Sequence, residues 1–218
     1  MIPNLLQRDS CSLIYSSSLD GSSFNRMANS LSGYASDLLI LVRSTDKETN
    51  QKSIVGVYAA EEIRDRAVWH GNASNCLFCL SPLTQVANTH DGKGESHFQY
   101  FNTHNIEGSQ KVQGLGFGGR MGSFRLFFDP QDLENASYLS PDCGTYASKF
   151  LGSKSSTLRI DILEIFGFGG PEALQAQIVY REVRQKEINK ARKVDKKFLL
   201  EDGVAKQHLF EKTFAHQA

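Results

Sequence analysis

Short apolar runs separated by polar turns dominate residues 11–170. The apolar segments at residues 37–43 and 53–59 flank a polar turn, and this pattern predicts a β-hairpin. Runs of similar length and composition predict further strands at residues 12–16, 75–80, 97–101, 123–128 and 158–166. Because helical patterns do not alternate with these strands, antiparallel pairing is favoured over a parallel βαβ sheet.

One helix is predicted among the strands. The apolar residues recur at positions i, i+3, i+4 and i+7, which places them in one stripe on a helix: Phe24, Met27, Ala28 and Leu31. Together with the strands, this helix indicates an α+β, mainly β fold. We expect a two-sheet antiparallel β-sandwich with a few flanking helices and a long C-terminal helix.

The C-terminal part of the chain has a different composition. From Pro171 to about Phe198 it contains no glycine or further proline and is rich in Glu, Gln, Lys, Arg and Ala, which predicts a long helix. Its apolar stripe at Leu174 and Ile178 fades and then resumes at Ile188, Ala191, Val194 and Phe198. Most of this helix should therefore be solvated.

This change in composition predicts two parts. Residues 1–170 are expected to form a β-sandwich domain, and residues 171–218 a C-terminal helical extension. Two interpretations of the extension stay open: it packs on its own sandwich, or it docks on a partner.

Residues 114–129 carry five glycines within nine residues, followed by an apolar run. A dinucleotide fingerprint needs a strand before its glycines and a helix after them, whereas here a polar segment precedes and a strand follows. The stretch also lacks the Gly-Lys-Ser/Thr ending of a P-loop. We therefore predict a glycine-rich turn or bulge that feeds a strand.

The same stretch supplies the candidate partner-binding residues. Glycines permit tight backbone packing, and they can also present a flat surface to a partner. The two arginines are expected to make a surface contact or a salt bridge with the aspartate. The candidates are Gly116, Gly118, Gly119, Arg120, Arg125 and Asp129.

The pair Cys76-x-x-Cys79 raises the question of a zinc or redox site. Zinc would need a second pair of ligands at fixed spacing, and Cys11 and Cys143 are isolated in the sequence. Residues i and i+3 of a strand point to opposite faces, so these two thiols should not share a metal. We expect buried, reduced cysteines and neither a metal nor a cofactor.

Other side chains with catalytic chemistry also lack the spacing of an active site. His90, His97 and His104 recur every seven residues but fall on a loop, a strand and a loop, so we interpret them as ordinary polar histidines. Asp161 and Glu164 are expected on opposite faces of the last strand, which does not suit paired acid–base catalysis. The sequence therefore does not predict an enzyme.

Composition and charge limit the class of protein further. The formal net charge is zero, and a C-terminal excess of ten basic over seven acidic residues is too mild to indicate nucleic-acid binding. The start of the chain does not resemble a signal peptide, and the apolar run at residues 38–42 is too short to cross a bilayer. We expect a cytoplasmic protein, with the nucleus or nucleolus as the alternative location.

Several segments resemble the TLDc domain family, and they occur in the order found in that family. They comprise a strand, Asp20-Gly21 and a helix starting at Phe24; the strand Gly56-Val57-Tyr58-Ala59; and the segments at residues 75–82, 114–129 and 161–167. This resemblance covers about residues 13–170.

The resemblance to the TLDc family implies a two-sheet antiparallel sandwich without accepted catalytic machinery. Members of the family are linked to resistance to oxidative stress and to binding of the vacuolar proton-pumping ATPase. The resemblance therefore implies a non-catalytic interaction domain whose protein partner is a subunit of that pump. Two alternatives remain: a cysteine-based antioxidant or enzyme, and a nuclear or nucleolar protein that docks through its basic C-terminal helix.

Overall fold

The computed structural model describes residues 11–89, 96–104, 111–140, 144–146, 155–190 and 192. His90 and Cys143, two of the residues considered above, lie outside these ranges. The chain divides into two compact units, Met1–Gln177 and Ile178–Ala218.

Eleven strands occur in the described part of the chain. They are β1 (Ser12–Ser16), β2 (Leu38–Asp46), β3 (Lys52–Ala59), β4 (Arg66–His70), β5 (Cys76–Ser81), β6 (Gln85–Asn88), β7 (Gln99–Asn102), β8 (Gly114–Arg120), β9 (Ser123–Phe128), β10 (Tyr138–Leu139) and β11 (Ser156–Gly167). The helices are α1 (Ser17–Asp20), α2 (Phe24–Leu31) and α3, residues 170–190.

All pairings among these strands are antiparallel. The first half of the sheet has the order β1-β11-β2-β3-β5-β6, and the second half has the order β4-β7-β8-β9-β10. The two halves join because β10 pairs with the beginning of β11, whose remaining length pairs with β1 and β2. The sheet thus curls back on itself.

The two halves enclose one main hydrophobic core. Ile40, Val57 and Leu77 of the first half belong to the same buried cluster as Phe117 and Leu126 of the second half. The apolar stripe of α2 is buried in this cluster as well. The prediction of a mainly β, antiparallel sandwich with few helices is confirmed.

The structure adds strands that the apolar pattern does not show. β4, β6 and β10 are short, and the first two lie at the ends of the strand order. The glycine stretch, predicted as a turn or bulge that feeds a strand, is itself the buried strand β8. The prediction of a turn there was therefore wrong for residues 114–120, and glycine content alone did not reveal a strand.

A β-bulge in β11 also corrects a prediction about two acidic residues. Ile160 pairs with Ser44 and Ile162 pairs with Arg43, so Asp161 is an extra residue in the ladder. The bulge shifts the alternation, and both Ile160 and Leu163 face the core. Asp161 and Glu164 therefore both point away from the core, whereas regular alternation predicted opposite faces.

The helix predicted from Pro171 onward is present as α3, with Pro171 in its first turn. Within the first compact unit, Ala173 packs in the main core, and Gln177 Nε2 donates a hydrogen bond to the Ser30 carbonyl oxygen at 2.6 Å. The side chains of Val179 and Val183, in the second unit, are exposed. The later apolar positions 191, 194 and 198 lie outside the described residues.

One end of the sandwich is closed by a buried polar network. Asn75 Oδ1 accepts a hydrogen bond from the Ala60 amide at 2.9 Å, and Asn75 Nδ2 donates to Gln99 Oε1 at 3.0 Å. Gln99 Nε2 in turn donates to the Glu62 carbonyl oxygen at 3.0 Å. Because Asn75 precedes β5 and Gln99 begins β7, the network links the two halves at this closed end.

Candidate partner-binding surface

The hairpin of β8 and β9 turns through Met121 and Gly122. Gly118, Gly119 and Gly122 have φ angles of 63°, 84° and 79°, in the left-handed region that glycine tolerates best. A Cβ on Gly119 would also overlap the Ser123 carbonyl oxygen, a backbone atom. The turn therefore requires glycine at this position for both conformation and space.

The glycines earlier in β8 make room for aromatic rings from β9. A Cβ on Gly116 would overlap the Phe124 ring, and one on Gly114 would overlap the Phe127 ring. The two rings stack with centroids 4.8 Å apart. The absence of these side chains thus allows the rings to lie directly on the strand.

These rings belong to an outer aromatic cluster, which we define as Trp69, Tyr100, Phe124, Phe127 and Tyr138. Neighbouring rings in the cluster lie 4.8 to 5.7 Å apart, centroid to centroid. The cluster lies on the face of the second half that points away from the main core. It covers β8 and β9 with apolar surface and holds the hairpin against β4 and β7.

His97 fixes the turn of this hairpin to the aromatic cluster. Its ring stacks on Trp69 with centroids 4.6 Å apart, and Nδ1 lies 2.7 Å from the Gly119 carbonyl oxygen. His104 lies elsewhere, with Nε2 3.7 Å from Asp65 Oδ2. The two described histidines of the seven-residue repeat therefore serve separate contacts.

The six candidate residues divide between the interior and the surface. Gly116, Gly118 and Gly119 are buried, and Arg120 beside the turn is exposed. Asp129 is half-buried, and its Oδ1 accepts hydrogen bonds from the backbone amides of residues 131 and 132 at 2.8 and 3.0 Å.

Arg125 departs from the expected surface position. Its side chain is fully buried, so it is not accessible to solvent or to another protein in the folded domain. Of the two arginines, only Arg120 offers an exposed side chain. A contact role for Arg120 stays a prediction.

The other end of β5 from Asn75 opens into a pocket of about 300 Å³. Leu139 and Leu158 at this pocket also belong to the main core, so the pocket reaches the interior between the two halves. The described residues that line it are Asp46, Gln51, Ser53, Pro82, Leu83, Gln85, Leu139, Ser156 and Leu158. We call it the apolar pocket.

A second cavity, of about 410 Å³, adjoins the apolar pocket. Hydroxyl side chains dominate its lining, which comprises Glu48, Gly122, Ser123, Ala136, Tyr138, Ser140, Ser155, Ser156 and Thr157. We call it the hydroxyl-lined cleft. Since Ser156 lines both cavities and Gly122 lines the cleft, the glycine hairpin and the apolar pocket form one continuous open-end surface.

Asp46 gives this surface a fixed negative charge. Burial alone would raise the pKa of its carboxyl group, but hydrogen bonds from the Thr49 and Glu48 backbone amides and from the Ser156 side chain outweigh burial and hold the pKa below its usual value. Both amide bonds to Asp46 Oδ1 measure 2.8 Å. The carboxylate is therefore ionised at neutral pH.

A sequence model of the TLDc domain matches residues 1–169 of the chain. The chain belongs to the TLDc domain family. Proteins similar to it are the MTOR-associated protein MEAK7 of Homo sapiens, 28% identical over 170 residues, and that of Gallus gallus, 29% identical over 167 residues. These matches cover 78% and 76% of this chain but 34% and 33% of the relatives. The chain thus spans about a third of the length of these curated relatives.

Two of the cysteines of this TLDc domain, Cys76 and Cys79, occupy opposite faces of β5. Cys76 packs with Tyr58 and Phe78 on the outer face, whereas Cys79 lies in the main core, as the strand spacing predicted. Burial raises the pKa of both thiols above the usual value. Both thiols are therefore protonated at neutral pH and weakly nucleophilic.

The described part of the chain contains neither a metal-binding cluster nor a membrane-spanning helix. No group of three or more His, Cys, Asp or Glu side chains in these ranges has an arrangement that could hold a metal ion. Within the same ranges, no helix combines the length and the apolar content needed to cross a bilayer.

The open-end surface is the feature of this TLDc domain that sequence reasoning missed. Its parts come from the turns at residues 46–51, 82–85 and 120–123, from residues 136–140 and from the beginning of β11, which are far apart in the chain. The composition of these segments, which is polar, rich in serine and contains a proline, predicts turns. It does not predict that the segments lie close together in the fold.

Proposed function

We propose that this TLDc domain is a non-catalytic protein-binding domain that binds the vacuolar proton-pumping ATPase, regulates it, and supports resistance to oxidative stress. The observation that carries the proposal is the match of the TLDc family model to residues 1–169. The relatives support a role in binding rather than catalysis, since they are named for association with MTOR. The proposed location is the cytoplasm.

The structure offers a surface suited to such a role. Leu80, Leu83 and Val86 expose 51%, 63% and 43% of their areas within a single β-hairpin. Exposed apolar side chains that occur together mark interaction sites more often than isolated ones do. The open-end surface next to this hairpin adds polar groups and a pocket.

Purification of the tagged full chain from its native cells tests the proposal. We expect subunits of the proton pump to co-purify and to be identified by mass spectrometry. Recovery of other proteins without any pump subunit would contradict the assignment of the pump as partner. Fluorescence of the tagged chain would show the cytoplasm as its location, and accumulation in the nucleus or nucleolus would contradict that part of the proposal.

Thiol titration separates the non-catalytic role from a cysteine-based antioxidant. Cys76 and Cys79 are buried with raised pKa values, so we expect them to react with a thiol reagent only after denaturation. Cys11 is exposed and should react first, which makes Cys11→Ser the matched control. Rapid reaction of Cys76 or Cys79 in the native protein would favour the antioxidant role.

A further inference from the structure

We propose that the open-end surface binds a short segment of the partner in which an aliphatic side chain stands next to a lysine or arginine. The aliphatic side chain enters the apolar pocket, and the cation lies between Asp46 and Glu48. This inference rests on the proposed protein-binding function and specifies the chemistry of the partner at one site.

The apolar pocket has the size and lining for a branched aliphatic side chain. Leu139 and Leu158, at the pocket, are more than nine-tenths buried members of the main core. Its volume of about 300 Å³ corresponds to roughly ten water molecules, at about 30 Å³ each. A side chain placed there would pack against these two core residues.

Pro82 and Leu83 add apolar surface to the pocket, beside polar side chains such as Gln51 and Gln85. Leu83 is the most exposed of the three exposed large apolar residues in the hairpin of β5 and β6. A segment bound in the pocket would remove Leu83 from water. Burial of apolar area of this kind is the main favourable contribution to most protein associations.

The negative charge at the two cavities favours a cationic side chain next to the aliphatic side chain of the bound segment. Among the described residues, the two charged ones that line the cavities are acidic: Asp46 at the apolar pocket and Glu48 at the hydroxyl-lined cleft. Lys47 and Lys52 belong to the same hairpin but line neither cavity. The Asp46 carboxylate is held in place by the two amide bonds, so it is oriented before a ligand arrives.

The hydroxyl-lined cleft completes the site for a peptide backbone. Ser123, Ser140 and Thr157 offer hydroxyl groups that both donate and accept hydrogen bonds. The backbone of a bound segment needs partners of both kinds, because its amides donate and its carbonyls accept. The cleft therefore suits the chain on the cationic side of the aliphatic residue.

Nuclear magnetic resonance on the isotope-labelled full chain tests this binding mode. The probe is Nα-acetyl-leucyl-lysine amide, and the matched controls replace its lysine by glutamate or its leucine by serine. At about 10 mM probe, in the weak range expected for so small a ligand, we expect shift changes at Gln51, Leu83 and Ser156. Absence of these changes, or equal changes with the glutamate control, would overturn the inference.

Two substitutions separate the apolar and the charged contributions. Asp46→Asn keeps an acceptor for the amides of Glu48 and Thr49 but removes the charge, and should weaken binding of the lysine probe about two- to fivefold. Leu83→Ser should weaken all leucine-containing probes. Leu19→Ser, at an exposed leucine on α1, is the control and should change nothing.

The same variants distinguish failure of this inference from failure of the proposed function. If the pump co-purifies equally with the wild-type chain and with the Asp46→Asn, Leu83→Ser double variant, the proposed function stands and the binding site is elsewhere. If the lysine probe binds at the open end but no pump subunit co-purifies, the site is supported and the pump is not the partner.

Discussion

In both halves of the sandwich, a phenylalanine ring packs over a glycine of the neighbouring strand, but the number of such glycine–ring contacts differs. In the first half, the Phe78 ring of β5 covers Gly56 of β3 and packs with Tyr58 and Cys76. In the second half, two glycines of β8 lie under two stacked rings of β9, and the stack continues into the outer aromatic cluster.

The difference shows why one glycine-containing segment stands out in the sequence and the other does not. A single glycine–ring pair leaves a strand such as β3 otherwise rich in β-branched residues, so the strand is easily predicted. In β8, two glycine–phenylalanine contacts on one face and a tight turn each require glycine. The resulting glycine content is not typical of a strand, so β8 is hard to predict. The glycines of β8 thus reflect aromatic packing, not a phosphate site.

The largest expected effect is at the turn of the second half. Gly119→Ala would place a Cβ against the backbone oxygen of Ser123 in a left-handed conformation, and should destabilise the domain by about 2–5 kcal/mol. Gly122→Ala is the matched control, since Gly122 shares the positive φ but has open space around it, and should cost about 1–2 kcal/mol. Chemical denaturation measures both, and equal losses would contradict the role of the clash.

The next effect compares the two halves directly. Gly116→Ala and Gly56→Ala each bring a Cβ into a phenylalanine ring and should each cost about 1–3 kcal/mol. Gly56→Ala should lie at the upper end, because its Cβ also comes 2.7 Å from the Ile40 carbonyl oxygen. Urea denaturation of the purified variants gives the two free energies of unfolding.

Double-mutant cycles then show whether the ring is the cause. In a Phe124→Ala background, Gly116→Ala should lose most of its effect. In a Phe78→Ala background, Gly56→Ala should keep part of its effect, since the backbone oxygen of Ile40 remains. Full additivity in both cycles would mean that the glycines are needed for another reason.

How far the sequence predicts this structure depends on whether a feature is local. The stripe of α2 and the apolar runs of β2, β3 and β11 are local patterns, and they were interpreted correctly. β4 was missed because it is a half-exposed edge strand with charged and polar ends, Arg66 and His70. Arg125 was expected at the surface because an arginine within an apolar run is normally exposed, yet it is fully buried.

Features that depend on long-range contacts could not be predicted. The bulge at Asp161 is a property of the pairing of β11 with β2, two strands that lie far apart in the sequence. The open-end surface exists because three turns, residues 136–140 and the beginning of β11 meet when the sheet curls. Neither the bulge nor the open-end surface can be predicted from the residues of a single segment.

The link between the halves is expected to have an intermediate effect. Asn75→Ala would leave the Ala60 amide and Gln99 Oε1 without their partner, at a total cost of about 1–3 kcal/mol. Asn72→Ala is the control: it removes only exposed hydrogen bonds, from Nδ2 to Glu61 and from the Ser74 amide to Oδ1, and should cost less. Thermal unfolding monitored by circular dichroism would show the difference, and a similar melting temperature for both variants would argue against the network as a link.

The smallest effect concerns pH and the edge strand β4 of the second half. His70 Nε2 accepts a hydrogen bond from the Arg64 amide at 3.0 Å, and burial lowers the pKa of the imidazole below its usual value. As pH falls, the His70 imidazole is therefore protonated in the unfolded chain before it is protonated in the folded one. The contribution of neutral His70 to stability is complete above about pH 6.5 and is lost as pH falls through the lower pKa of the folded state. His70→Gln should flatten the pH dependence of the unfolding free energy in this window, with His104→Gln as the exposed control. An unchanged slope in His70→Gln would mean that another group sets the acid sensitivity of this half.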